Sequence, residues 1–247
     1  MKKYCLWLAV LIMSWSIMFA EIKNGYGPEI EGIRESLKSL NILLTEDNTL
    51  SLFQKLQIKN KIYKLRDYIT YYELTEELLT QFKTIAPDLF NEIDSLKDNN
   101  GQIVKVFVRF VPENEMRFRA SGTTNLAHFE NDRNTYYSEY GPATVSVKIA
   151  SVNKSLSLLA HEFGHVKYQV PNLASYIEYY STWYQNETFN SNYIGHNDHD
   201  PSGMKALEYE NTFRDYYLSF LKTAPAKWKN AQALLEKIRR AALKNVF

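Results

Sequence analysis

A single cysteine, Cys5, serves the whole 247-residue chain. With no second thiol, no disulfide can form within it, and in a mature chain that has lost Cys5 with its first residues any metal must be held by His, Asp or Glu. Stability has to come from core packing, for which 45% hydrophobic content in a chain of this length suffices. Net charge is as scarce as cysteine: 29 basic residues against 28 acidic ones leave a formal +1. Nothing global therefore draws the chain to nucleic acid or to an anionic membrane. Internal repeats and low-complexity tracts are absent as well, which sets aside solenoid architectures and compositional linkers.

Long apolar runs are missing except at the start. Leu6 to Phe19 is apolar but shorter than the ~20 residues a spanning helix needs, and Met1-Lys2-Lys3 precedes it with positive charge. Residues 1–20 read as a Sec-type signal peptide, cleaved between Ser16 and Ala20, which implies a secreted or periplasmic protein with no stable membrane insertion once it is removed. An exported chain without disulfides suits a bacterial envelope or medium. What the chain has in plenty is aromatics, with 18 Tyr, 13 Phe and 4 Trp, the composition of a fold that packs rings around irregular loops.

Residues 21–100 read as a helical scaffold. Ile33, Leu37, Leu40 and Leu44 recur at helical spacing, as do Ile58, Ile62 and Leu65; Pro87 interrupts a later helical run, and Asp98-Asn99-Asn100-Gly101 is a turn. Beyond it, in residues 101–247, the period changes. Ile103 to Val111 and Thr144 to Ile149 alternate as strands, and polar Glu113 to Glu139 between them reads as a long loop. Asn153 or Ser155 can cap a following helix whose Leu156, Leu159, Ala160 and Phe163 share one face. The fold class expected is α+β, predominantly helical, with a small sheet.

That helix carries His161-Glu162-Phe163-Gly164-His165, an HExxH pattern. Residues four apart share a face, so His161 and His165 can offer two imidazoles to one ion. Glu162 lies about 100° round the helix, placed to take a proton from water that the ion activates. Gly164 is small where close packing is needed.

With a strand, an HExxH helix and acidic residues downstream, the stretch from Thr144 to Phe220 resembles the zincin metallopeptidases. The metzincin branch needs a glycine three residues after the second histidine and another His three beyond; Tyr168 and Pro171 stand there. The gluzincin branch takes its third ligand from a Glu on a later helix. Here Asp200-Pro201 caps a helix through Tyr217, on which Glu210 shares a face with Ala206, Leu207, Phe213 and Tyr217, while Glu208 faces outward. Glu210 is therefore the expected third ligand, because an inward acid needs a partner. A thermolysin-like pattern would place Asp four residues after that Glu, where this chain has Arg214.

Around the metal, Asn211 or Arg214 could orient a ligand. His196 and His199 are rival ligands and, with Tyr193 and Tyr217, candidate donors to an oxyanion. In the resemblance, the strand before the active helix is a sheet edge that binds extended substrate, which points to Val145, Ser146 and Val147. The expectation is an exported peptidase with one Zn2+ per chain, Glu162 as general base and a peptide or protein as substrate. The competing expectations are a non-catalytic exported binding protein with a structural metal site closed by a fourth ligand, and a metal-dependent hydrolase of a non-peptide substrate.

Overall fold

The computed structural model describes residues 22–116, 121–129, 132–150, 155–178 and 200–224. The signal-peptide expectation and the candidates Tyr193, His196 and His199 lie outside those residues. Among the described residues no helix is long and apolar enough to cross a membrane.

The fold is α+β and predominantly helical, as expected. In chain order it has β1 (Ile22–Asn24), α1 (Gly27–Glu46), α2 (Leu52–Ile85), α3 (Pro87–Asp94) and β2 (Lys105–Phe110). After these come β3 (Gly122–Asn125), β4 (Ala127–Phe129), β5 (Asp132–Ser138), β6 (Gly141–Pro142) and β7 (Thr144–Ile149). The helices α4 (Ser155–Gln169) and α5 (Pro201–Thr223) complete the order. Local chemistry sets most boundaries. Ser51 and Gln54 form a reciprocal capping box at the start of α2, and Pro87 opens α3 at a position where its missing N–H costs nothing. Asp200 caps α5 by accepting from Ser202 N at 2.9 Å. The expected turn is tied by Asp98, whose carboxylate accepts from Asn100 N and Gln102 N, and it closes on Gly101 at φ +76°.

Four strands form the main sheet in the order β1-β2-β7-β3. β1, β2 and β7 run parallel, and β3 is antiparallel to β7. Val106, Val108, Phe110, Val145, Val147 and Ile149 are fully buried or nearly so. They join Leu78 and Phe82 of α2, Ile93 of α3, Leu159 and Phe163 of α4 and Phe213 of α5 in one core. Residues on both sides of Gly101 thus share a sheet and an interior. The second sheet, β4-β5-β6, is antiparallel. It abuts the first where Tyr140 stacks on Phe107 at 4.2 Å and Glu139 pairs with Lys148 at 3.0 Å.

Two expectations are corrected here. The segment Glu113 to Glu139 is not a loop but supplies β3, β4 and β5; Gly-Thr-Thr-Asn in β3 has too little apolar alternation to announce a strand, and pairing with β7 is what extends it. For the same reason the strand before the HExxH helix is not an edge. β7 is paired on one side by β2 and on the other by β3, with Val145 opposite Val106, Ser146 between Phe107 and Asn125, and Val147 between Val108 and Thr124. The main-chain groups of Val145, Ser146 and Val147 belong to the sheet, and among the described residues the edge strand on this side is β3.

Candidate functional site

α4 and α5 pack antiparallel, and their close approach builds the site. At Gly164, a Cβ would fall 2.6 Å from Ala206 Cα and 2.9 Å from both Lys205 O and Tyr209 Cβ. The glycine expected to permit close packing is thus where the two backbones nearly touch. The buried face of α5 is Ser202, Ala206, Tyr209 and Phe213. Leu207, expected inward, is exposed, because the contact at Gly164 centres the helix on Ala206 and Tyr209 rather than one residue further round.

On either side of that contact the polar groups pair across the helices. His161 Nδ1 lies 3.2 Å from Glu210 Oε2, and Ser157 donates its hydroxyl hydrogen to Glu210 Oε1. Two turns earlier on α5, Ser202 Oγ lies 2.7 Å from His165 Nδ1 and accepts from Gln169 Nε2 at 2.9 Å. The two imidazole rings stand nearly perpendicular, with centroids 5.0 Å apart. An ionised carboxylate only accepts, so the contact with Glu210 places a hydrogen on Nδ1 of His161. Ser202 Oγ accepts from Gln169 and either takes a hydrogen from His165 Nδ1 or donates its own to it, according to the tautomer. With Nδ1 of His161 protonated, that ring would meet a metal through Nε2, the arrangement in which a neighbouring acceptor orients a ligating histidine.

Glu162 is directed at the sheet. It is 4% exposed. Thr124 of β3 donates to its Oε2 at 2.6 Å and lies 3.1 Å from its main-chain oxygen. Gly122, two residues earlier on β3 and on the same face, leaves the space: a Cβ there would sit 2.6 Å from Glu162 Oε1. The edge strand is therefore cut to the shape of this carboxylate.

Of the other expected residues, Glu208 is exposed and pairs with Lys205 at 2.6 Å, which holds its carboxyl below the usual carboxylate range. Glu210 has 31% side-chain exposure, so helix periodicity separated the two glutamates correctly. Asn211 and Arg214 are exposed and are not brought to the histidines. Tyr217 stacks on Phe213 at 6.2 Å. Among the described residues no three His, Cys, Asp or Glu side chains are gathered round one point. No family model, curated protein or solved structure matches the chain. The site rests on its own geometry.

Sequence reading missed Thr124, Gly122, Ser157, Ser202 and Gln169. Gln169 was within reach, since it lies four residues after His165 and shares its face. Ser157 likewise precedes His161 by four. Thr124 and Gly122 carried no signal, because a strand in a polar segment gives no hint of which helix it will meet.

Proposed function

We propose that the chain is a zinc-dependent hydrolase acting on peptide bonds, with His161 and His165 as ligands and Glu162 as general base. The observation that carries this reading is that the Nδ1 of each imidazole is engaged by a side chain of α5, Glu210 at His161 and Ser202 at His165, which fixes the orientation of both rings. Two imidazoles on one helix face suit zinc, and Glu210, 3.2 Å from His161 Nδ1, is the carboxylate beside them that would complete a three-ligand set. Zinc bound there would supply Lewis acidity and bring the pKa of water toward ~7.

The chain's own residues have separate tasks. Glu210, expected from its helix face to be the third ligand, stays in the site as the acceptor that orients His161; direct ligation would require it to release that hydrogen. Ser202, which accepts from Gln169, holds the orientation of the His165 ring. Glu162 accepts the proton from water and passes it to the leaving amine. Thr124 fixes the carboxylate's direction, and burial against β3 shields it from competing solvent hydrogen bonds. β3 offers an edge on which an extended chain can add as a strand, a mode that suits peptides over compact substrates. The leader expected at residues 1–20 would place this activity outside the cytoplasm.

The test is metal analysis of the purified protein together with peptide-library cleavage by wild type and Glu162→Gln. One zinc per chain is expected in both. Turnover of the variant should fall by at least ~100-fold, the lower end for loss of a general base. Absence of zinc after reconstitution overturns the reading. A variant that binds zinc and cleaves like wild type removes Glu162 from the base role. A zinc-loaded wild type that cleaves no peptide in a broad library returns the binding-protein and non-peptide alternatives.

A further inference from the structure

The antiparallel helices α1 and α2 form a hairpin that projects from the core. From Glu31 to Lys61 no residue is buried; Ile30 and Ile62 are the last that are. At 1.5 Å per residue, the free part of α1 alone runs roughly 20 Å. The two helices share one seam, in which Ile33, Leu37, Leu40, Leu44, Ile58 and Leu65 are half-buried. A pair of helices covers only one side of each, and here a second side is apolar too. Leu52, Leu56 and Tyr63, with Lys59 between them, follow one another at spacings of four, three and four, a single stripe along α2. They are 77%, 51% and 62% exposed. Phe53 at 68% and, across the loop, Ile42 and Leu43 widen the patch at the tip. Six of the ten exposed large hydrophobic residues recorded for the described chain lie on this hairpin, which is more than scattered surface apolarity.

Charge tells what covers it. From Leu52 to Arg66 α2 carries Lys55, Lys59, Lys61, Lys64 and Arg66 and no acid. α1 carries Glu29, Glu31, Glu35 and Glu46 against Arg34 and Lys38. Among the described residues the hairpin's one ion pair is internal to α1, between Arg34 and Glu31. The basic helix and the acidic helix thus remain unpaired with each other. A twofold axis along the hairpin lays α1 of one copy over α2 of the other, which pairs acid with base twice and buries both apolar stripes in a four-helix bundle. A bilayer suits the tip less well: Glu46 and Asp47 lead it, and Thr49 holds the Asp47 carboxyl ionised, below its usual range.

We propose that this hairpin is a self-association surface, and that its occupant is the hairpin of a second copy of the chain. The proposal is independent of the zinc reading. Sedimentation equilibrium of the purified protein should show a dimer. Leu52→Glu with Leu56→Glu should abolish it, and the variant should melt with wild type at dilutions where wild type is monomeric, since both side chains are exposed.

Charge reversal identifies the partner. One variant replaces Lys55, Lys59 and Lys64 with Glu, and another replaces Glu31, Glu35 and Glu46 with Lys. Each alone should be monomeric, and an equimolar mixture should form a heterodimer. A monomeric wild type overturns the proposal, as does a dimer that none of these changes affects. Wild type that is monomeric yet sediments with phosphatidylglycerol vesicles, and loses that binding with Leu52→Glu and Leu56→Glu, assigns the tip to lipid and equally overturns it.

Discussion

Two antiparallel helix pairs in this protein start from similar apolar periodicity and end in opposite situations. α4 and α5 approach until Gly164 touches the backbone of α5, and they share the core with the sheet. α1 and α2 touch along one seam and leave the rest to solvent from Glu31 to Lys61. The difference shows why the candidate site is where it is. Only the first pair excludes enough water to make hydrogen bonds such as those between His165 and Ser202 and from Thr124 to Glu162 directional and costly to disturb. From Glu31 to Lys61 the second pair has length, charge and apolar surface but no buried polar group, which suits contact with another molecule better than chemistry.

If that contrast is right, equivalent substitutions in the two pairs should have unequal effects. The largest concerns aromatic truncation. Phe213 is 3% exposed and stacks on Phe82 at 4.7 Å, so Phe213→Ala should lower stability by about 3–5 kcal/mol in urea unfolding. Phe53→Ala on the hairpin should stay within about 0.5 kcal/mol under conditions where the protein is monomeric. Similar losses would mean that the hairpin is packed as tightly as the core.

Glycine substitution is the next test. Gly164→Ala adds a methyl against the backbone of Ala206, and although alanine favours helix by ~1 kcal/mol, the overlap should leave a net loss of about 1–3 kcal/mol. Gly32 in α1 has nothing within 4 Å of a built Cβ, so Gly32→Ala should instead stabilise by up to ~1 kcal/mol. The same sign at both positions would erase the distinction.

The smallest predicted difference lies within α5 itself and sharpens the site. Glu210→Gln keeps an acceptor for His161 but removes the charge, and zinc affinity measured by competition with a chelator should fall about 10–100-fold, the range for a group that orients a ligand. Glu208→Gln, whose exposed carboxylate faces Lys205, should leave zinc affinity unchanged. A total loss of zinc with Glu210→Gln would make Glu210 a ligand itself, and no loss would remove it from the site.

Much of this was legible beforehand. The helical stripe of Ile33, Leu37, Leu40 and Leu44, the strand from Thr144 to Ile149, the Asp200 cap and the outward Glu208 all follow from local periodicity or capping. These depend on a few neighbouring residues, and the neighbours are in the sequence. The failures have a common cause. β3 is polar and became a strand because β7 had an open side, which also moved the sheet edge away from Val145, Ser146 and Val147. Leu207 turned outward because Gly164 set the rotation of α5.

By itself, then, the sequence determined that His161 and His165 share a helix face one turn apart, since 3.6 residues per turn leaves no other outcome once the segment is helical. It also determined that no disulfide forms within the chain, because Cys5 is its one cysteine. Only the tertiary structure decided what stands behind each ring, that Thr124 and Gly122 receive Glu162, and that one helix pair is enclosed while the other projects. Those facts join residues some forty to fifty positions apart in sequence, and no local rule relates such residues until packing brings them within reach.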